Sequence, residues 1–132
     1  MKKILVLVLA VLLLAGCNEK KKEEKPNDNQ PKEYEYLFDF DNYKNIKLDD
    51  INKIVKIRYT VAGDAREDIT DKSEISTLYN SLKNLKIGEE TERACEDNTT
   101  VYKFIMNDGN SYSIEIECDW FVIGKKHYNI VK

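Results

Sequence analysis

The sequence predicts an α+β fold: an antiparallel β-sheet meander with a single amphipathic α-helix packed on one face. Three observations predict it. Residues 53–61 alternate with a period of two and are rich in β-branched side chains, as in a half-buried strand. Ile75, Leu78, Tyr79, Leu82 and Leu85 recur three and four residues apart, the spacing of one helical stripe. Asn107-Asp108-Gly109 then separates two further alternating runs, the signature of a hairpin.

The chain begins with Lys2 and Lys3 and an uninterrupted apolar run from Ile4 to Ala15. As a helix that run reaches only about 18 Å, short of the roughly 30 Å of a bilayer core. A basic tip, a short apolar stretch and small residues at its end describe an export signal. A buried core helix would need a polar face where it meets solvent, and this run has none. The run ends in Leu14-Ala15-Gly16-Cys17, which resembles the lipobox of bacterial lipoproteins. That resemblance implies removal of residues 1–16 as a signal peptide, a new N-terminus at Cys17, and a diacylglycerol on its sulfur. Two acyl chains hold a protein to a membrane stably, whereas one does so only marginally. The expected partner is therefore the membrane, reached through diacylglyceryl-Cys17, and the expected place is extracytoplasmic. The abundance of Lys, Asn, Ile, Glu and Tyr, as in AT-rich genomes, makes a Gram-positive surface the expectation.

The full chain has a net charge of −3, and loss of Lys2 and Lys3 leaves the mature chain more acidic. Nucleic acid is not an expected partner, because binding it calls for a basic face. After Cys17 comes NEKKKEEKPNDNQPKE (18–33), without an aliphatic or aromatic side chain and with Pro26 and Pro31 to break a helix. Such a segment cannot offset its ordering entropy by burial, so residues 17–33 are expected to be a disordered tether with a reach of about 22 Å. Residues 34–132 are the size of one domain with one core.

Within that domain, YEYLFDFDNYKNIKLDDI (34–51) reads as an edge strand or a wrapped arm whose aromatics pack on the core. In the next strand Val55, Ile57, Tyr59 and Val61 share one side, with Ile54, Lys56, Arg58 and Thr60 on the other. Gly63-Asp64 marks a turn and 66–70 a short return strand. Asp71 and Glu74 have the spacing of a capping box at the helix start. Gly88 is expected as the left-handed residue that closes the helix. The acidic stretch Glu89–Asp97 reads as a solvated connecting loop. In the hairpin, Phe104 is set opposite Tyr112, Tyr102 opposite Ile114, and Cys118 opposite Asn98. Asp119 starts a second reversal, followed by strands 120–123 and 127–131 around Gly124-Lys125-Lys126. The arrangement from Ile54 onward is similar to that of small uncharacterised lipoproteins of Gram-positive bacteria, a resemblance that brings no catalytic residues.

Cys95 and Cys118 are expected to form a disulfide, since such bonds persist outside the cytoplasm, with two free thiols as the alternative. No zinc site is expected, because Cys95, Cys118 and His127 lack the close Cys pairing of such sites. His127, the single histidine, reads as a solvated strand residue. Residues 39–50 superficially resemble a calcium loop, but Tyr43, Lys44 and Asp50 occupy places that require an oxygen ligand, a glycine and a glutamate. There is no phosphate-binding glycine loop, Gly-x-Ser-x-Gly or His-Glu-x-x-His. Trp120 and Phe121 lie in a run apolar on both faces; core packing is the expectation, and a partner contact is the alternative if one face is uncovered. The expectation is a non-catalytic binding or interaction module, without metal or cofactor, for an unknown protein or small ligand. The alternative is a structural or protective envelope protein, such as a spacer or an inhibitor of a secreted partner.

Overall fold

The computed structural model describes residues 35–92, 95 and 97–132. The expected signal peptide, Cys17 and the tether lie outside them. Residues 34–132 gather into one compact unit. Two short 3-10 turns, Leu37–Asp39 and Leu48–Asp50, lead into β1 (Ile51–Thr60) and β2 (Ala65–Ile69). Helix α1 (Lys72–Lys83) follows, then β3 (Lys86–Thr91), β4 (Asn98–Met106), β5 (Ser111–Glu117), β6 (Trp120–Ile123) and β7 (Lys126–Val131). The seven strands form an open antiparallel sheet in the order β2-β1-β4-β5-β6-β7-β3.

The β4–β5 hairpin has the register its turn chemistry predicts. Phe104 lies opposite Tyr112 and Tyr102 opposite Ile114, and the Met106 N–H donates to the Asn110 carbonyl at 2.9 Å. Gly109 takes φ 88°, a left-handed value that a side chain would disfavour. The alternation continues across the sheet, so Ile54, Phe104, Ile114, Ile116, Phe121 and Tyr128 share a face. Phe104, Ile114, Ile54 and Phe121 are wholly or almost wholly buried.

Strand β1 differs from its expected facing. Ile54 is fully buried, whereas Tyr59 and Val61 are 42% and 86% exposed. Pairing of Ile54 with Phe104 puts that side of the strand on the core, and a register shift between Ile51 and Lys53 carries Ile51 to the same side. One extra residue there lets Ile51 and Ile54, three apart, both point to the core side opposite Met106 and Phe104. Val55 is buried as well, so the apolar content of both sides hid the true facing.

The segment before β1 is an arm rather than an edge strand. Leu37, Phe38, Phe40, Tyr43 and Ile46 are all buried. The Phe38 ring meets Tyr79 of α1 edge-on at 5.2 Å and Phe104 of β4 at 6.5 Å, while Phe40 meets Tyr128 of β7 at 5.4 Å. The Tyr79 hydroxyl donates to the Ile46 carbonyl at 3.0 Å. Ile75, Tyr79 and Leu82 of α1 join the same buried cluster. The Asp71 carboxylate starts the helix by accepting from the N–H groups of Ser73 and Glu74 at 2.9 and 3.0 Å.

Two expectations are corrected between α1 and β4. The helix ends at Lys83 with Asn84 as its cap, and Gly88 lies within β3 without a positive φ. A Cβ on Gly88 would stand 3.2 Å from Asn129 and Val131, so the glycine is there for close strand approach. The start of the acidic stretch is a strand, not a loop. Lys86 pairs with Val131 and Thr91 with His127, and Lys126 makes a 3.2 Å ion pair with Glu90. The edge of β3 is covered by the start of the arm: the Leu37 N–H donates to the Leu85 carbonyl and the Ile87 N–H to that of Glu35.

Candidate functional site

The face that carries Ile54, Phe104 and Ile114 changes character toward the Thr60 end of β1. Two residues beyond Ile54 comes Lys56, and two beyond that Arg58. The register places Tyr102 and Thr100 of β4 beside them, with Ile116 of β5 next to Thr100. These side chains line an open cleft of about 470 Å³, closed at one end by Asn98, Cys118 and Asp119. That volume is within the roughly 300–1,000 Å³ of small-molecule sites.

Its electrostatics are uneven. Both cations stand on β1. Lys56 is loosely engaged by Glu67 at 3.8 Å, and the Arg58 side chain makes no hydrogen bond or ion pair with any described residue. The side chains of Asn98, Thr100 and Tyr102 are likewise without a hydrogen-bonding partner among the described residues. Tyr102 packs its ring against the core, and that burial pushes its phenol pKa up. The one carboxylate of the lining, Asp119, is engaged by Lys132 at 2.9 Å. The arrangement offers a guanidinium, an ammonium, a phenol and two small polar groups beside one aliphatic side chain, Ile116. That set can hold and orient a ligand, and it contains no nucleophile paired with a base.

The end wall is covalent. Cys118 is bonded to Cys95, with their Cα atoms 6.1 Å apart. Cys118 occupies the tight turn between β5 and β6 at φ 51°, and its N–H donates to the Asn98 carbonyl at 2.8 Å. A bend at Asp97 brings Cys95 back toward it.

The opposite face of the sheet holds a second polar group of residues. Glu115, Val122 and His127 lie in register across β5, β6 and β7. The His127 Nε2 is 3.0 Å from the Glu117 carboxylate, and both side chains are mostly shielded from solvent. His127 is therefore tied to a carboxylate, not the freely solvated residue the sequence suggests. Glu115 has its pKa raised, first by burial, then by the charge of Glu117 and a hydrogen bond to it, with His127 opposing. Among the described residues no three His, Cys, Asp or Glu side chains are grouped to hold a metal ion.

Of the two residues considered for a partner contact, Phe121 is fully buried and packs in the core instead. Trp120 is half-buried on the other face, its indole N–H donating to Asn129 at 2.8 Å. The aromatics of the arm do not line the cleft. Sequence reasoning missed Lys56, Arg58 and Tyr102 as a group. The available signal was a pair of cations continuing the side of β1 that carries Ile54, where a fully covered face would have stayed apolar.

No helix among the described residues is long and apolar enough to cross a membrane. Residues 1–18 match the model of the prokaryotic membrane lipoprotein lipid attachment site. This chain is a membrane-anchored lipoprotein. The match covers the leader and the first residue after Cys17, so it gives the protein its place and says nothing of the domain's activity. No curated protein and no solved structure matches the chain.

Proposed function

We propose that this lipoprotein is a non-catalytic binding module, held at the outer face of a Gram-positive cell membrane by a diacylglycerol on Cys17. Its ligand occupies the cleft between β1, β4 and β5. In this reading α1 and the arm cover one face of the sheet and leave its Arg58 end open. Residues 17–33, polar and rich in charge, give the domain its distance from the lipid. The observation that carries the binding role is the cleft itself. Arg58, Asn98, Thr100 and Tyr102 present polar side chains without hydrogen-bonding partners among the described residues, where no buried polar side-chain atom is left unsatisfied.

Absence of catalysis is supported by the chemistry of the two polar sites. The cleft has its cysteine sulfur in a disulfide, and the His127–Glu117 pair lies on the other face of the sheet. The test has two arms. Cells fed an alkynyl fatty acid are expected to label the parent and retain it in the membrane pellet, whereas Cys17→Ser is unlabelled and leaves the pellet. Backbone amide NMR of the lipidated chain in detergent micelles, titrated with small-molecule mixtures, is expected to show perturbations at residues 56–58, 98–102 and 116–119. Perturbations confined to the face of Trp120 and His127 would overturn the placement of the ligand.

A further inference from the structure

We infer that the cleft selects a ligand with one terminal carboxylate on an apolar or aromatic body. This inference rests on the cleft being the binding site and adds the ligand's chemical class.

Charge is segregated along the cleft. Arg58 and Lys56 both rise from β1, so positive charge is confined to one wall. Arg58 has its whole fork of donors free of described partners, and a planar guanidinium matches a carboxylate through two parallel hydrogen bonds. Lys56 is shared with Glu67 at 3.8 Å, which leaves it a supporting charge and not a second full site. One guanidinium without a described partner and one partly neutralised ammonium suit a single negative charge better than a dianion.

The rest of the cleft specifies where that charge sits in the ligand. Ile116 and the Tyr102 ring supply the apolar surface, and the Tyr102 hydroxyl has no hydrogen-bonding partner among the described residues. Beyond Ile116 the end wall carries Asp119, which already holds the Lys132 ammonium at 2.9 Å, so a second anionic group meets no unengaged cation there. A carboxylate at the tip of an apolar body therefore places its charge on the β1 wall and its body over Tyr102 and Ile116. A phosphodiester carries its charge mid-chain and would have to direct one ester arm away from that surface. A dicarboxylate would bring its second charge toward Asp119.

The test uses the lipidated full chain in detergent micelles with N-acetylphenylalanine as the probe, its neutral amide as the control, and a phosphodiester of similar apolar size as the competitor. Binding is read from the Arg58 Nε–H signal and from the amides of β4 and β5. The expected result is that the carboxylate shifts the Arg58 signal and binds about 10- to 100-fold more tightly than the amide. Arg58→Gln is expected to remove that preference, while Asp119→Asn admits a dicarboxylate that the parent rejects. Because Arg58 is exposed, its replacement leaves the fold intact, as the unchanged spectrum of β5–β7 will show. If the amide moves the same cleft residues as strongly as the carboxylate, or the phosphodiester binds better, the assignment of ligand class fails and the cleft stands. If neither moves the cleft, or the shifts fall on the opposite face, the cleft reading fails with it.

Discussion

Removing the Cys95–Cys118 bond is expected to lower stability by an amount that follows from the length of chain it closes. The two cysteines are 23 residues apart in sequence, and restricting a loop of that size in the unfolded chain is worth about 3.4 kcal/mol. For a domain of about 100 residues the unfolding entropy is about 0.2 kcal/mol per kelvin, so the double variant Cys95→Ala/Cys118→Ala should melt about 16 °C lower. A second term comes from the turn. Cys118 has φ 51°, a conformation that costs a residue with a Cβ about 1–2 kcal/mol and costs glycine almost none. Glycine returns part of that gain through its freedom in the unfolded chain, so Cys95→Ala/Cys118→Gly should exceed the double alanine variant by about 0.5–1 kcal/mol. Circular dichroism melts with and without a phosphine reductant give both comparisons. Oxidised and reduced parent melting within about 3 °C of each other would refute the loop argument. A glycine variant no more stable than the alanine variant would refute the backbone argument.

Three further outcomes are expected. Tyr79→Phe removes the hydroxyl that donates to the buried Ile46 carbonyl, which should cost about 1–2 kcal/mol in a urea titration while leaving the ring contact with Phe38 intact. Gly88→Ala puts a methyl 3.2 Å from Asn129 and Val131, so β3 and β7 must separate slightly, at a cost of about 1–2 kcal/mol and with faster amide exchange in those two strands. For Glu115 the folded protein holds the carboxyl above its ordinary pKa, so the protonated form favours folding. That contribution is present below the ordinary carboxylate pKa and is lost as pH rises through the raised value. Glu115→Gln should therefore be the more stable form at neutral pH, and its advantage should vanish in acid. Urea midpoints that differ by the same amount at every pH would contradict this.

Legibility of the sequence followed how local each determinant was. The β4–β5 hairpin could be read because Asn107-Asp108-Gly109 and the two alternating runs specify one register independently of the rest of the chain. The start of α1 was equally local, resting on Asp71 and the stripe Ile75, Tyr79, Leu82. The facing of β1 was not local. Val55, Ile57 and Ile54 make both sides apolar, and only the pairing of Ile54 with Phe104 of β4 decides between them. Gly88 shows the same limit: a glycine after a helix fits a cap or a close strand contact, and β7 lies some forty residues away. Strand β3 itself, Lys-Ile-Gly-Glu-Glu-Thr, has little strand character and is held by its pairing. The cleft was the least legible feature, because Lys56, Arg58, Tyr102 and Ile116 come together only through the β1–β4–β5 order. His127 and Glu117 meet for a similar reason, across β6.

The lipid attachment site fixes where the domain works, and the cleft is functionally meaningful only if the domain is displayed there. Mass spectrometry of the N-terminal peptide from membranes tests this most directly. The expected result is a mature chain that begins at Cys17 with its sulfur in thioether linkage to diacylglycerol. A membrane-extracted chain that retains Met1, or that begins near residue 17 with an unmodified thiol, would contradict it.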